Sequence, residues 1–171
     1  AAFINAAIVV AATGGSTNGA LHLPAMAHEA GIEFTMKDVA DAFMLTPWIA
    51  DLKPGGAYVA KDMGEAGGMP MLLRSLLDGG LLDGNCLTVT GKTLGENVEE
   101  VTWNPDQKVI HTVKAPLTEN GGVVGLWGSM APEGAMLKIA GLEKLVFRGP
   151  ARVLDGEEAA FEAGSNEALE A

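Results

Sequence analysis

The chain has 171 residues, 48% hydrophobic and 19% charged, which is ample material for a core and a poor composition for a disordered chain. Twenty-two acidic against eleven basic side chains give a net charge of −11, which repels nucleic acid and anionic membrane surfaces. A single cysteine, Cys86, excludes a disulfide framework and any cysteine-rich zinc or iron–sulfur site made from this chain alone.

Residues 1–12 are apolar almost throughout and read as a buried helix. The run is shorter than the roughly 20 residues a bilayer requires and has no basic leading region. It also opens without an initiator Met, as the middle of a longer protein would. Gly14 and Gly15 break this helix. Ser16 or Thr17 then caps a second one to about Ala30, stopped by Gly31. Apolar residues at 20, 21, 23, 26 and 27 give it one buried face, and Pro24 within it predicts a kink or a short first segment.

"TMKD" (35–38) has the form of a capping box and starts a helix to about Leu45. "TPWIADLKPGG" (46–56) reads as a loop, "AKDMGEAGG" (60–68) as a short helix ending in glycines, and Met69–Asp78 as a helix closed by Gly79 and Gly80. "CLTVT" (86–90) is expected to be a strand and "TLGENVEEV" (93–101) a helix. The character changes near Trp103. After a turn at "NPDQ" (104–107) come four β-like runs: "KVIHTV" (108–113), "GVVGLWG" (122–128), "AMLKIAG" (135–141) and "LVFRGPARVL" (145–154). Turns at "TENGG" and "APEG" separate them, and "DGEEAAFEA" starts a last helix. The expected division is therefore an α-rich part, 1–102, and a β-rich part, 103–171, joined near 102–107.

The segment "AATGGSTNGALHL" (11–23) is the candidate site. Flexible backbone, hydroxyls and then a helix N-terminus make an anion-receptive arrangement. His22 stands one turn beyond Asn18 and shares its face. The other motifs carry less. "VTGKT" (89–93) lacks the glycine a phosphate loop needs five residues before Gly91, where Cys86 stands. No G-x-G-x-x-G occurs. His22 and His28 are six apart and point to different helix faces, so they do not form an i, i+4 metal pair. His28 and His111 read as ordinary polar residues, Cys86 as a buried, inert thiol, and Asp62, Glu65, Glu96, Glu99 and Glu100 as solvated faces. No Ser/His/Asp triad can be assembled.

Five colinear segments nevertheless resemble one family: "GGSTNGALHL" (14–23), "AHEAGIEFT" (27–35), "DLKPGGAYVAKDMGEAGGMP" (51–70), "LLDGGLLDGNCLTVTGKTLGENV" (76–98) and "GSMAPEGAMLKIAG" (128–141). They are similar to the dihydroxy-acid dehydratases and the related sugar-acid (phosphogluconate) dehydratases. "CLTVTGKT" and "LKPGGAYV" lean toward the branched-chain amino-acid enzyme.

The resemblance implies an α/β fold: the α-rich end of a cluster-bearing N-terminal domain (1–102), then the start of a swivelling β-barrel-like domain (103–171). It implies a lyase that converts a 2,3-dihydroxy carboxylic acid to a 2-keto acid with an iron–sulfur cluster and Mg²⁺, in a cytoplasmic homo-oligomer, dimer or tetramer. Its partner is a small hydroxy-acid substrate, with no nucleic acid and no membrane. In the family, the cluster cysteines lie upstream of the Gly-Gly-Ser-Thr-Asn segment, and the remaining metal glutamate and the serine base lie downstream of residue 171. No catalytic and no metal-ligating residue is therefore assigned here, and the piece alone is expected to be inactive. Gly15, Ser16, Thr17, Asn18 and His22 are its expected substrate-binding residues. A sugar-acid substrate, or a non-catalytic binding module on the same scaffold, are the alternatives.

Overall fold

A computed structural model describes residues 1–142, 146 and 148–165. In chain order the elements are α1 (Ala2–Ala12), α2 (Thr17–Glu29), α3 (Met36–Leu45), α4 (Ala60–Glu65), α5 (Gly68–Asp78), α6 (Leu94–Val98), β1 (Val123–Gly128), β2 (Ala131–Lys138) and α7 (Glu157–Ser165). Helices and a small sheet together make a mixed α/β arrangement. Among the described residues that sheet is an antiparallel pair, β1 against β2.

Local chemistry explains the helix starts. Ser16 Oγ accepts the Asn18 N–H. Thr35 and Asp38 close a complete capping box at α3, and Thr93 and Glu96 do the same at α6. At α4 the Asp62 carboxylate accepts the Val59 N–H at 2.8 Å, although valine has no acceptor to return.

α1, α2 and α3 pack on one another, and the hairpin lies on α3 and touches α2. Phe43, Val39, Ile49, Leu72, Leu76, Ile110 and Val123 are fully buried at the centre. The same continuous core takes in Val109, Ile110 and Val123 beside the helical residues. An extended segment, 48–51, threads this core. Trp48 pairs with 117–118, and Ile49 and Asp51 with 109–111 through backbone hydrogen bonds of 2.7–3.1 Å.

Several expectations are corrected. "CLTVT" forms no strand; it makes one bridge, Leu87 to Thr93. Nor does "KVIHTV", whose Ile110 bridges Ala50 alone. There the Gln107 side chain takes over ladder bonding, accepting the Val109 and Ile110 N–H groups and donating to the Ile110 carbonyl. "APEG" is not a turn but the start of β2. The reversal falls at Ser129–Met130, and Gly134 sits with φ +99° beside the irregularity in the ladder. In "LVFRGPARVL", Leu145 and Phe147 lie outside the described residues, and the rest of the run has no strand pairing.

α2 runs unbroken through Pro24. It buries Ala20, Leu23 and Ala27, while Leu21 and Met26 face outward. α1 is buried on one face only, with Ile4 exposed. α6 is shorter than expected, and Cys86 is half-buried rather than buried.

Candidate functional site

The segment joining α1 to α2 begins as a helix ending. Gly15 N–H reaches the Val10 carbonyl at 3.0 Å and Gly14 N–H the Ala11 carbonyl at 3.0 Å. With Gly14 at φ +93°, this is the six-to-one and five-to-two pairing of a Schellman C-cap. Gly14 is therefore required by helix closure, and the N–H groups of both glycines point back into α1. What remains for a ligand is the start of α2: Ser16, half-buried, and Thr17 and Asn18, both exposed.

His22 is exposed one turn further along α2, on the same side as Asn18. Gly15 is buried and serves close approach. A Cβ there would stand 2.5 Å from the Gly121 carbonyl oxygen and 2.6 Å from Val123 Cγ2. Gly122 faces the same junction, 3.0 Å from the Gly14 carbonyl oxygen by the same construction. Behind the loop, Trp48 lies against Gly14 and anchors its indole N–H on the Ala50 carbonyl at 2.6 Å.

Sequence reasoning missed one group. Lys138, the last residue of β2, donates from Nζ to the Gly15 carbonyl at 3.1 Å. Its ammonium adds positive charge beside a helix N-terminus that already carries a partial positive charge. Nothing in the local sequence points to Lys138, which lies 123 positions from Gly15.

The remaining motifs fold on themselves. In "VTGKT" the Thr88 and Thr90 hydroxyls are 2.9 Å apart, and Asn97 binds both, accepting from Thr90 and donating to Thr88. Glu96 is held by the Thr93 N–H and hydroxyl, which depress its pKa. His28 is exposed, and the His111 backbone is tied to Ile49 and Ser75. Among the described residues, surface clefts of about 280 to 410 Å³ lie beside α3, α4, α5 and α6, and residues 14–22 do not line these.

A cluster or a magnesium ion needs a set of converging thiolates, carboxylates or imidazoles. Among the described residues no three His, Cys, Asp or Glu side chains converge in that way. The described residues by themselves therefore assemble no complete site for either group. No helix among the described residues is long and apolar enough to cross a membrane.

Comparison with known proteins agrees with the colinear segments. Residues 1–97 match the family model for the dihydroxy-acid/6-phosphogluconate dehydratase N-terminal region, and 108–171 the one for the C-terminal region. A dihydroxy-acid dehydratase 2 of Bradyrhizobium diazoefficiens is 62% identical over 162 residues, 95% of this chain and 28% of that protein. A dihydroxy-acid dehydratase of Parvibaculum lavamentivorans is 63% identical over 161 residues, 93% of this chain and 28% of its own. One from Pelagibacter ubique is 61% identical over 157 residues, 92% and 27%. The chain thus spans a little over a quarter of the length of these curated relatives.

Proposed function

The chain belongs to the dihydroxy-acid/6-phosphogluconate dehydratase family, and from that premise we propose that it is the central part of a hydro-lyase converting a 2,3-dihydroxy carboxylic acid to a 2-keto acid. The observation that carries this reading is identity above 60% to proteins named dihydroxy-acid dehydratase over more than nine-tenths of the chain. Those names favour a dihydroxy acid over a phosphogluconate-type sugar acid as substrate, and the "CLTVTGKT" and "LKPGGAYV" segments lean the same way, toward the branched-chain amino-acid enzyme.

Within the chain, the substrate would meet the start of α2. Ser16, Thr17 and Asn18 offer hydroxyl, amide and N–H groups at the positive end of a 13-residue helix, and Lys138 supports the same charge preference. A carboxylate is the natural complement. His22 stands at the rim and Gly15 lets the backbones close. The iron–sulfur cluster and Mg²⁺ of the parent would be built from residues outside this chain, so the piece alone is inactive. The part from about 103 onward would open the swivelling barrel-like domain, with the join at 102–107. Both family matches leave residues 98–107 uncovered, which supports a join there. The parent would be a cytoplasmic homo-oligomer.

The parent enzyme carrying Asn18→Ala tests the assignment. Loss of one substrate hydrogen bond lowers kcat/KM for the dihydroxy acid by roughly tenfold. An unchanged value would leave the loop a structural part only. Comparing 2-keto acid formation from a branched-chain dihydroxy acid and from a sugar acid decides the substrate.

A further inference from the structure

Lys138 and Gly15 lie 123 positions apart in the chain, yet the Gly15 carbonyl is held by the Lys138 ammonium at 3.1 Å. Gly15 is also wedged between the Gly121 carbonyl oxygen and Val123, and Val123 is the ladder partner of Lys138. The end of β2 and the start of β1 therefore grip one residue, the one immediately before the Ser16 cap of α2. A cation is normally disfavoured at this end of a helix. Helix stabilisation does not explain it, but the carbonyl that it grips does.

We infer that Lys138 is a positioning residue: it fixes the 15–18 loop against the hairpin, and so sets where Ser16, Thr17 and Asn18 stand. Its consequence for substrate rests on the proposed reading of that loop as a binding element. The grip itself does not.

The test uses the parent enzyme with Lys138→Met and Lys138→Arg. Hydrogen exchange is followed in the segment 13–19 and, as reference, in α5. Lys138→Met is expected to speed exchange in 13–19 roughly tenfold, the worth of a charge-assisted hydrogen bond on a half-buried side chain, and to leave α5 unchanged. KM for the dihydroxy acid rises by a similar factor while kcat stays nearly constant, and Lys138→Arg restores both. Unchanged exchange in 13–19 overturns the inference, as does acceleration in α5 equal to that in the loop. Faster exchange in 13–19 with an unchanged KM upholds the grip and overturns only the reading of the loop as substrate-binding. If Lys138→Met does not fold, Lys138→Gln is read by the same criteria.

Discussion

Asn5 and Asp83, 78 positions apart, exchange two hydrogen bonds: Asn5 Nδ2 donates to the Asp83 carbonyl at 2.9 Å, and its Oδ1 accepts the Asp83 N–H at 3.0 Å. Asn5 is 8% exposed on an otherwise apolar face of α1, so this pairing is what makes an amide tolerable there. It also fastens α1 to the connection between α5 and α6. Asn5→Ala leaves both backbone groups of Asp83 without their protein partner and is expected to cost about 2 kcal/mol. For a chain of this size that lowers Tm by roughly 4–8 °C. Thermal unfolding followed by circular dichroism measures it, and an unchanged Tm would show that water replaces the amide without loss.

Two glycines with similar backbone conformation separate strain from crowding. Gly15 has φ +72° and Gly31 φ +67°, but a Cβ at Gly31 meets nothing within 4 Å, whereas at Gly15 it collides with the Gly121 carbonyl and Val123. Gly31→Ala should cost about 1 kcal/mol, the left-handed penalty alone. Gly15→Ala adds overpacking and should cost about 3 kcal/mol or more. Urea midpoints at constant m decide between them. Equal losses would mean that the hairpin yields and that the junction is not tightly fitted.

The contrast between these positions shows what could be read from residue order. Caps and stops depend on neighbours three or four residues away, so Ser16, the Thr35–Asp38 box and Gly31 were legible. Strand partners are remote. "CLTVT" and "KVIHTV" have the composition of strands, yet each finds a single bridge: in "KVIHTV" Gln107 and the extended segment at 48–51 satisfy backbone groups that a longer ladder would otherwise take, and "CLTVT" turns back on its own neighbours, Thr88 N–H to the Lys92 carbonyl and Leu94 N–H to the Cys86 carbonyl. Pro132 and Gly134 look like turn residues, but in a two-stranded hairpin both strands are edges, and an edge admits a proline and a bulge. At the candidate site, Ser16, Thr17 and Asn18 were visible as a cap. The Schellman closure explains Gly14 and the close approach of Gly121 and Val123 explains Gly15, while Lys138 reaches the Gly15 carbonyl only through the tertiary fold.

The capping boxes carry a pH signature. The Thr35 hydroxyl and N–H, both 2.7 Å from Asp38 Oδ2, hold the Asp38 carboxyl below the ordinary carboxylate range. The Thr93 N–H and hydroxyl do the same for Glu96. A depressed folded pKa stabilises above the unfolded value and loses that contribution as pH falls through the folded one. Lys37 runs the other way: its hydrogen bond to Asp41 raises its pKa, so its contribution holds below its ordinary value and fades in strong alkali. Asp38→Asn should therefore cost a constant amount of stability above about pH 5, and the difference from the unaltered chain should shrink below about pH 4. Thr35→Ala removes the cap itself and costs about 1 kcal/mol near neutrality. Urea titrations at several pH values measure both, and a difference independent of pH down to strong acid would remove the carboxylate from the account.

The accessible surface bears on behaviour in solution. It measures 11257 Å², while a compact chain of this mass exposes about 7,900 Å², an excess of roughly 3,300 Å². Large apolar side chains are among what is exposed: Leu45, Leu87, Val89, Met130 and Val153 all stand largely in solvent. An excess of this size exceeds what one partner contributes to most stable interfaces. Against association stands the net charge of −11, whose mutual repulsion acts over roughly 10 Å at 0.1 M salt and about 3 Å at 1 M. The piece is therefore expected to self-associate, and more strongly as salt is added, because screening removes the repulsion and leaves the apolar attraction intact. Light scattering at fixed protein concentration across a salt series tests this. A monodisperse monomer at the highest salt would mean that the exposed apolar side chains are too scattered to form a sticky patch, and association that weakens with salt would point to ion pairing instead.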